Sequence, residues 1–433
     1  MEYGRQKPSG YRSRLADAQI EHYLHLFGAV EVSGTMWCGK TWASLAHSES
    51  AIYADREGNL PVIQADPQFA LLGETPRTID EWQRVPALWD VVRHAVDAGG
   101  SERGRWILTG SSAPDKGAVK HSGSGRIGRV RMHPMTLFEQ GASSGKVSLK
   151  TLFEGHFAPC PAKGGIANLA ELIVRGGWPA LTEDDPTDAQ EIIGGYLDNA
   201  FDVSVARLGG NRDIARRVAC SVARNLGQSA KLATIARDVY GKDKDEQTTD
   251  YEERTVSSHL EILSRIYLID EVPGWVPATR SPLRMRVKPK RYFADPSIAA
   301  SLLGLSETAL LSDGQTLGLL FENLCMRDLD VYARAAGAKT DHPVRYYHDD
   351  SGLEADAVIE MRDGSWAAFE IKLSADKADA AAKALLRLAR KVTGSKAAQV
   401  APPAFLAVLT ATGEAAYCRD DGVYVIPITT LGA

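Results

Sequence analysis

Gly34-Thr35-Met36-Trp37-Cys38-Gly39-Lys40-Thr41 is the stretch that decides the fold of this chain, because it fits G-x-x-x-x-G-K-[ST], the pattern of a loop that binds nucleotide phosphates. The glycines let the backbone curl, so that successive N–H groups converge on the phosphates. Lys40 would place a positive charge beside the terminal phosphates, and the Thr41 hydroxyl would coordinate Mg²⁺. The stretch therefore predicts a nucleotide site that extends from Gly34 to Thr41.

The segments on either side of this loop support the prediction. Ala29-Val30-Glu31-Val32-Ser33 has the composition of a short buried strand, and residues 41–46 have that of a helix. A strand, a glycine-containing loop and the start of a helix together form an anion-binding site. An isolated glycine turn, which is the alternative, lacks such neighbours.

An acidic pair downstream supplies the expected ligands for metal and water. Asp80 would hold Mg²⁺ and Glu81 would orient the attacking water. The alternative is an exposed helix that begins with acidic residues, which the helix dipole favours. Residues 105–112 predict a further strand, and Thr109 and Ser111 at its end would sense the terminal phosphate.

Arginines follow in a glycine-rich segment, residues 121–131. Arg126 or Arg129 would stabilise the charge that develops on phosphate during hydrolysis, either in its own chain or in a neighbouring copy. A basic loop exposed to solvent explains the same residues equally well.

A second acidic site is predicted near the C-terminus. Residues 354–372 have the pattern of a β-hairpin with its turn at Asp363-Gly364. Side chains alternate along a strand, so Glu370 and Lys372 share a face, and the hairpin returns Asp356 to their side. Two carboxylates bind Mg²⁺ or Mn²⁺, the metal lowers the pKa of a bound water, and the lysine positions that water or the scissile phosphate. A ladder of surface ion pairs is the alternative.

These motifs, in this order, resemble those of bacterial and archaeal AAA-type ATP-binding proteins whose C-terminal half is a domain of unknown function, number 4143. The segments that carry the resemblance are the phosphate loop, Ile79–Gln83, Ile107–Ser111, Gly125-Arg126, His133–Met135, Arg175–Pro179, Gly352–Asp356 and Glu370–Lys372. The resemblance implies an ATPase core, a helical region with a winged-helix element, and a C-terminal module similar to the PD-(D/E)xK nucleases. A helical glutamate often completes the metal site of such modules, and Glu322 would fill that role here.

The length of 433 residues requires more than one hydrophobic core. We therefore predict an α/β architecture in three parts. A P-loop AAA-type ATPase domain with a parallel sheet would occupy residues 1–150, a helical and winged-helix domain 163–304, and a PD-(D/E)xK-like α/β domain 305–433. Glycine, proline and serine are dense between residues 141 and 165, which predicts a connection there.

Two segments of the middle part are DNA-binding candidates. A helix over 254–263 would present Arg254, Ser257, Ser258 and His259 to a major groove. Acidic residues over 243–253 oppose this, and a protein-packing module is the alternative. Basic residues over 280–291 have no acidic neighbour and alternate from Arg284 to Lys290, which would place them on one face of a strand. The polar side of a two-stranded ribbon is an equally supported alternative.

The net charge of −5 gives no general argument for nucleic-acid binding, so any such binding depends on local patches. One further patch is the helix expected after Lys372. Its basic residues, which would face nucleic acid, are Lys383, Arg387, Arg390 and Lys391.

Composition restricts the class of protein. Hydrophobic residues make up 44% of the chain and charged residues 24%, which is typical of globular domains. A polar start and the lack of a long apolar run predict no signal peptide, no membrane span and a cytoplasmic location. The five cysteines are scattered without a C-x-x-C pair, so we expect reduced thiols rather than disulfides or a zinc site.

Together these features predict an ATPase with ATP and Mg²⁺ as ligands, whose nucleotide cycle gates an action of the C-terminal module on DNA. Thr41 and Asp80 would form one metal site, and a second would use Glu322, Asp356 and Glu370. The alternative is an ATP-dependent switch whose inactive end domain only binds a protein partner, or another copy of the chain. The two differ in whether Asp356, Glu370 and Lys372 converge on a metal, since a salt bridge that fills the gap favours the second.

Overall fold

The computed structural model describes residues 6–433 apart from 115–116, 118–120, 278–287, 339–341 and 395–399. The helices are α1 (Leu15–Leu26), α2 (Lys40–Ala46), α3 (Leu60–Ala65), α4 (Ala87–Ala98), α5 (Leu149–Phe153), α6 (Ile166–Arg175), α7 (Pro186–Asn199), α8 (Arg212–Arg224), α9 (Leu232–Tyr240), α10 (Asp250–Arg265), α11 (Pro296–Leu302), α12 (Glu307–Ser312), α13 (Gly314–Ala335) and α14 (Ala378–Thr393). The strands are β1 (Ala29–Gly34), β2 (Ser50–Tyr53), β3 (Arg77–Asp80), β4 (Trp106–Gly110), β5 (Ile127–Met132), β6 (Val147–Ser148), β7 (Cys160–Pro161), β8 (Ile269–Val272), β9 (Lys290–Phe293), β10 (Val344–His348), β11 (Glu354–Glu360), β12 (Trp366–Lys372), β13 (Phe405–Thr410), β14 (Ala415–Cys418), β15 (Tyr424–Pro427) and β16 (Leu431–Gly432).

An α/β unit with a parallel sheet forms the N-terminal part, as predicted. Its five strands lie in the order β2-β3-β4-β1-β5, and all pairs are parallel. On one face Ile20 and Leu24 of α1 pack with Val30 and Val32, and on the other lies Trp89 of α4. Both faces are therefore covered, as all-parallel sheets require.

The strand order places the predicted nucleotide residues together. β4 lies between β1, which leads into the phosphate loop, and β3, which ends at Asp80. Thr109 near the end of β4 is therefore beside both. All of β3 is buried, including Arg77. The Arg77 guanidinium can be buried because it donates to the carbonyl oxygen of Ala70 at 2.9 Å and to the Ser50 hydroxyl at 2.8 Å.

Helices dominate the middle part. α8, α9 and α10 pack against one another, and the antiparallel ribbon β8–β9 follows, with Ile269 opposite Phe293. These elements lie where the winged-helix element was predicted, and that assignment stays a prediction.

The outer face of α10 differs from the expectation at one residue. Arg254, Ser257 and Ser258 are exposed, but His259 is buried, so its expected place on the outer face was wrong. The reason is a hydrogen bond, since Nε2 of His259 accepts from the backbone N–H of Asn211 at 3.0 Å at the start of α8.

A mixed seven-stranded sheet forms the C-terminal part, in the order β10-β11-β12-β13-β15-β14-β7. The predicted hairpin is confirmed, since β11 and β12 are antiparallel with Ala357 opposite Phe369. Apolar residues of α14, such as Leu385, pack on the sheet face that carries Val358 and Ala368. The opposite face belongs to the core that includes α13.

The predicted connection contributes to this C-terminal sheet region. β7 pairs with β14, β6 pairs with β16, and the Ser143 hydroxyl donates to the carbonyl oxygen of Leu431 at 2.6 Å. Edge strands present unpaired backbone groups, and these pairings satisfy some of them. The domain boundaries themselves stay a prediction.

Within the described ranges, no helix combines the length and apolar character needed to cross a bilayer. The five cysteines are free thiols in this structure.

Candidate functional site

The phosphate loop joins β1 to α2 in the curled conformation that its glycines predict. A Cβ at Gly34 would lie 2.3 Å from the carbonyl oxygen of Met132, so only glycine lets β1 approach the end of β5 here. Gly39 has φ +98° and Trp37 φ +70°, both in the left-handed region. The loop thus turns back on itself, as a phosphate cradle requires.

Lys40 is buried at the centre of this loop. Its ammonium donates to the carbonyl oxygen of Thr35 at 2.8 Å, so it lies where terminal phosphates are expected. The Thr35 hydroxyl is itself hydrogen-bonded to the hydroxyl of Tyr196 in α7 at 2.7 Å. The middle part of the chain therefore contacts the loop directly, which the loop motif alone does not predict.

Thr41 and Asp80 meet as the sequence predicts. The Thr41 hydroxyl donates to Oδ1 of Asp80 at 2.9 Å, and the Thr109 hydroxyl donates to the same oxygen. Burial raises the pKa of Asp80, and the two hydroxyl hydrogen bonds act against that rise. This set of oxygen atoms fits Mg²⁺, which proteins usually hold through one or two such groups together with substrate phosphates.

Glu81 follows Asp80 with a left-handed backbone, φ +53°. Its carboxylate accepts from the Ser111 hydroxyl at 2.9 Å and from the Gln83 amide, and its N–H donates to the Thr109 hydroxyl at 3.3 Å. Burial raises the pKa of Glu81, which makes its carboxylate a stronger base. Gln83, which the sequence analysis did not assign to the site, therefore orients Glu81 together with Ser111.

A cavity of about 470 Å³ opens at the phosphate loop. Its lining residues are Gly10, Tyr11, Arg12, Arg14, Met36, Trp37, Gly39, Lys40, Thr41, Trp42, Glu81, Met135, Pro179 and Ala180. Trp37 and Trp42, two of these residues, are 40% and 48% exposed. The N-terminal segment and the turn at Pro179 carry no nucleotide-binding motif, so their place at this cavity is not visible in the sequence.

Arg126 and Arg129 do not line this cavity. The carbonyl oxygen of Arg126 accepts from the N–H of Ala29, the first residue of β1. The phosphate loop follows the last residue of β1, so Arg126 lies at the opposite end of that strand from the loop. Its guanidinium pairs with Asp97 at 2.8 Å, and that of Arg129 pairs with Glu31 at 3.3 Å. Neither arginine is therefore placed to act on a phosphate bound in its own chain, and that expectation was wrong. A role toward a neighbouring copy stays a prediction.

Arg14, which no motif marked, lies behind the loop. Its guanidinium donates to the carbonyl oxygens of Cys38 and His133, each at 2.8 Å, and pairs with Glu139 at 3.0 Å. Although burial opposes it, the charge of Arg14 holds the pKa of Glu139 below its usual range. This ion pair ties the phosphate loop to the segment that follows β5.

The same segment is bound to α13. Oδ2 of Asp328 accepts from the N–H of Leu137 at 2.9 Å. Arg327 pairs with Asp328 at 2.7 Å and with Asp295 at 2.6 Å, and Asp295 also accepts from the N–H of Gly177 at 2.9 Å. The segment after β5, α13 and the turn at Gly177 thus share one buried polar network.

At the C-terminal hairpin, Asp356, Glu370 and Lys372 come together. The Lys372 ammonium lies 2.5 Å from Oε2 of Glu370 and 3.4 Å from Oδ2 of Asp356, which also accepts from the N–H of Ile371 at 2.8 Å. The alternation of side chains along the hairpin predicts this convergence. The lysine, however, lies in the gap between the two carboxylates.

Glu322 of α13 belongs to the same electrostatic cluster. It accepts from the Tyr292 hydroxyl at 2.6 Å and lies 3.5 Å from the Lys290 ammonium. Burial, followed by the charge of Asp356, raises the pKa of Glu322, and the same two causes raise the pKa of Glu370 to about 7. The carboxylates therefore affect one another through their charges.

These carboxylates do not form the predicted metal site. In the described part of the chain, no group of three or more His, Cys, Asp or Glu side chains is placed to hold a metal ion. Charges interact over longer distances than metal coordination allows, so electrostatic coupling and the lack of a coordination site are compatible. The set Glu322, Asp356 and Glu370 does not fit a three-ligand site in this arrangement.

The basic segment predicted over 280–291 is described only from Lys288 onward, and residues 278–287 lie outside the described ranges. Lys290 faces Glu322, and Arg291 pairs with Glu271 at 3.0 Å. In α14 the predicted stripe is exposed, although Lys391 pairs with Asp349 at 2.7 Å.

Three family models match successive parts of the chain. Residues 27–140 match an AAA domain, residues 166–309 a domain of unknown function numbered 8612, and residues 317–431 the domain of unknown function numbered 4143.

Similar proteins are known from several organisms. Uncharacterized proteins of Mycobacterium bovis and Mycobacterium tuberculosis are each 26% identical over 367 residues, which cover 83% of this chain and 73% of the relative. The Walker-type ATPase of Pyrococcus abyssi is 14% identical with a TM-score of 0.42, covering 69% of this chain and 98% of that one. The RuvB Holliday junction branch migration motor of Thermotoga maritima is 14% identical with a TM-score of 0.29, covering 67% and 94%.

The phosphate loop and the parallel sheet both lie in the part of the chain that matches an AAA domain. That part is followed along the chain by the matches to the domains of unknown function numbered 8612 and 4143.

Proposed function

We propose that this chain binds ATP with Mg²⁺, hydrolyses the terminal phosphate, and uses the nucleotide cycle to control its C-terminal part. The observation that supports hydrolysis best is the placement of Glu81. Its carboxylate lines the cavity at the phosphate loop and is held by Ser111 and Gln83, directly after Asp80.

Each residue of the site has a distinct role in hydrolysis. Lys40 and the loop N–H groups hold the phosphates, and Thr41 with Asp80 would hold Mg²⁺. The metal, when bound, offsets the negative charge of the phosphates. Glu81 orients the attacking water and accepts its proton, which its raised pKa favours. Thr109 positions both acids, since it donates to Asp80 and accepts from the N–H of Glu81.

Control of the C-terminal part would follow the buried network behind the loop. Arg14 connects the carbonyl oxygen of Cys38 to Glu139, and Leu137, two residues earlier, is bound by Asp328. Asp328 lies on α13, the helix that also carries Glu322. A change in the loop on nucleotide binding therefore has a short, hydrogen-bonded route to the carboxylate cluster.

Two functions of the C-terminal part are each favoured by one observation. Cleavage of DNA is favoured by the convergence of Asp356, Glu370 and Lys372. Binding of a protein partner without catalysis is favoured by the Lys372 ammonium, which already bridges the two carboxylates.

One experiment separates these functions. Purified chain is incubated with circular and linear DNA and with Mg²⁺ or Mn²⁺, with and without ATP, while phosphate release is measured in parallel. Lys40→Ala and Asp356→Ala are compared with Asp363→Asn, which changes an exposed acid in the turn of the same hairpin.

Cleavage that is lost in Asp356→Ala, retained in Asp363→Asn and altered by ATP supports an ATP-controlled nuclease. Phosphate release without cleavage under any condition supports the partner-binding switch. No phosphate release by the unchanged chain refutes the proposed hydrolysis itself.

A further inference from the structure

A cavity of about 710 Å³ lies between the ATPase sheet and the rest of the chain. It is bounded by the edge strand β5, by β8 and the residues before it, by α1 and by α13. None of its lining residues lines the cavity at the phosphate loop. This interdomain cavity is therefore separate from the nucleotide site.

We propose that the interdomain cavity binds a nucleoside phosphate as a second ligand, with the phosphate on Arg131 and His133 and the base against nearby aromatic rings. A ligand there would be additional to the ATP that is hydrolysed, and its binding would not depend on the chemistry of the C-terminal part.

Two residues that line the cavity each have a buried nitrogen atom without a hydrogen-bond partner in the described part of the chain. His133 is 5% exposed, and its Nε2 lies 3.1 Å from Oδ2 of Asp270. Its Nδ1 makes no hydrogen bond within the described ranges, since Oδ2 of Asp330 is 3.6 Å away. Arg131 donates from Nη2 to Asp270 at 3.0 Å, but its Nη1 is buried and has no partner among the described residues. Buried polar groups are normally paired, and phosphate oxygens would pair these two.

The acids beside these nitrogens are already engaged. Asp270 accepts from Arg131, and Asp330 accepts from Nε of Arg334 at 2.7 Å and from its Nη2 at 3.1 Å. Arg129 also lines the wall, where its side chain is 63% exposed, and its guanidinium pairs with Glu31 at 3.3 Å. The wall can therefore take an anion from outside the chain without displacing an existing acid.

Aromatic side chains form the other part of the wall. Tyr23, Phe27 and Tyr267 are partly exposed and line the cavity. The Arg131 guanidinium already lies over the Tyr267 ring, 4.0 Å from its centroid, so the cationic and aromatic surfaces are contiguous. A heterocyclic base packs well on such rings, and a phosphate attached to it would reach the arginine.

The test uses the full chain with Lys40→Ala, which weakens binding at the phosphate loop. Equilibrium dialysis measures binding of AMP, GMP and inorganic phosphate. We expect one AMP or GMP per chain. Adding Arg131→Gln should raise the Kd at least about tenfold, since it removes a charge-assisted hydrogen bond. The matched change Arg93→Gln, on α4 and away from the cavity, should leave the Kd unchanged.

Tyr267→Leu tests the contribution of the base separately from that of the phosphate. It should weaken the binding of AMP and GMP and leave the binding of inorganic phosphate unchanged. Thermal unfolding of each variant checks folding, and His133→Gln replaces Arg131→Gln if the latter does not fold. Absence of saturable binding up to about 1 mM overturns the proposal. If Arg131→Gln, His133→Gln and Tyr267→Leu bind AMP and GMP with the same Kd as Arg93→Gln, the proposal is overturned as well. The cavity then holds water only.

Discussion

Replacing Arg14 by methionine is expected to destabilise the ATPase part and to weaken ATP binding. The side chains of Arg14 and Glu139 are 4% and 3% exposed, so removing one leaves the other charge buried without its partner. Breaking a buried ion pair in this way costs about 3–5 kcal/mol. Glu139 also accepts from the N–H groups of Thr136 and Leu15, each at 2.8 Å, which places the expected loss near the lower end.

The effect on ATP follows from the phosphate loop. The carbonyl oxygen of Cys38 loses its hydrogen bond from Arg14, and a net loss of about 1 kcal/mol corresponds to a roughly fivefold higher Kd for ATP. Urea unfolding followed by circular dichroism gives the free energy of unfolding, and a titration gives the Kd. Arg103→Met, which changes an exposed arginine, is the control and should cost less than about 0.5 kcal/mol.

A double variant tests the reasoning. Arg14→Met with Glu139→Met removes both charges, so it should lose at least about 1 kcal/mol less than the sum of the single changes. Strict additivity, or a loss below about 1 kcal/mol for Arg14→Met alone, would refute the assigned ion pair.

Three other outcomes are expected. Glu81→Gln should lower kcat for ATP about 10²–10⁴-fold while the Kd for ATP stays within about twofold, and unchanged turnover would exclude Glu81 as the base. Asp328→Asn should abolish any ATP-induced change in hydrogen-exchange protection of α13, whereas the exposed Asp379→Asn should retain it; equal behaviour would remove the proposed route. Because the pKa of Glu370 is raised to about 7, its carboxyl group favours the folded state when protonated, so the free energy of unfolding should fall as pH rises from about 4.5 to about 7. Glu370→Gln should remove this slope, and an unchanged slope would contradict the raised pKa.

The predictable features depend on residues close in sequence or on a regular alternation. Gly34 and Lys40 act within one loop, and their backbone requirements are visible in the motif. Alternation along β12 correctly placed Glu370 and Lys372 on one face. Alternation does not fix side-chain conformation, and so it did not show that the Lys372 ammonium lies between the carboxylates.

The features that escaped prediction join residues far apart in sequence. Arg14 binds Glu139 across 125 positions, and Leu137 binds Asp328 across 191. Neither an arginine just before a helix nor an aspartate within one carries a sequence signal for such a distant partner. The burial of His259 was not predictable for the same reason. Its hydrogen-bond partner Asn211 lies 48 positions earlier in the chain.

The pairing of β6 with β16 and of β7 with β14 has a practical consequence for anyone who wishes to divide this protein. A protease that cuts in the exposed stretch 154–156 would leave β6 on one fragment and its partner β16 on the other. The nicked protein should migrate as one particle in gel filtration and as two bands in denaturing electrophoresis. An ATPase fragment ending at residue 150 would expose the apolar surface that normally faces α13, so it should aggregate when it is expressed alone.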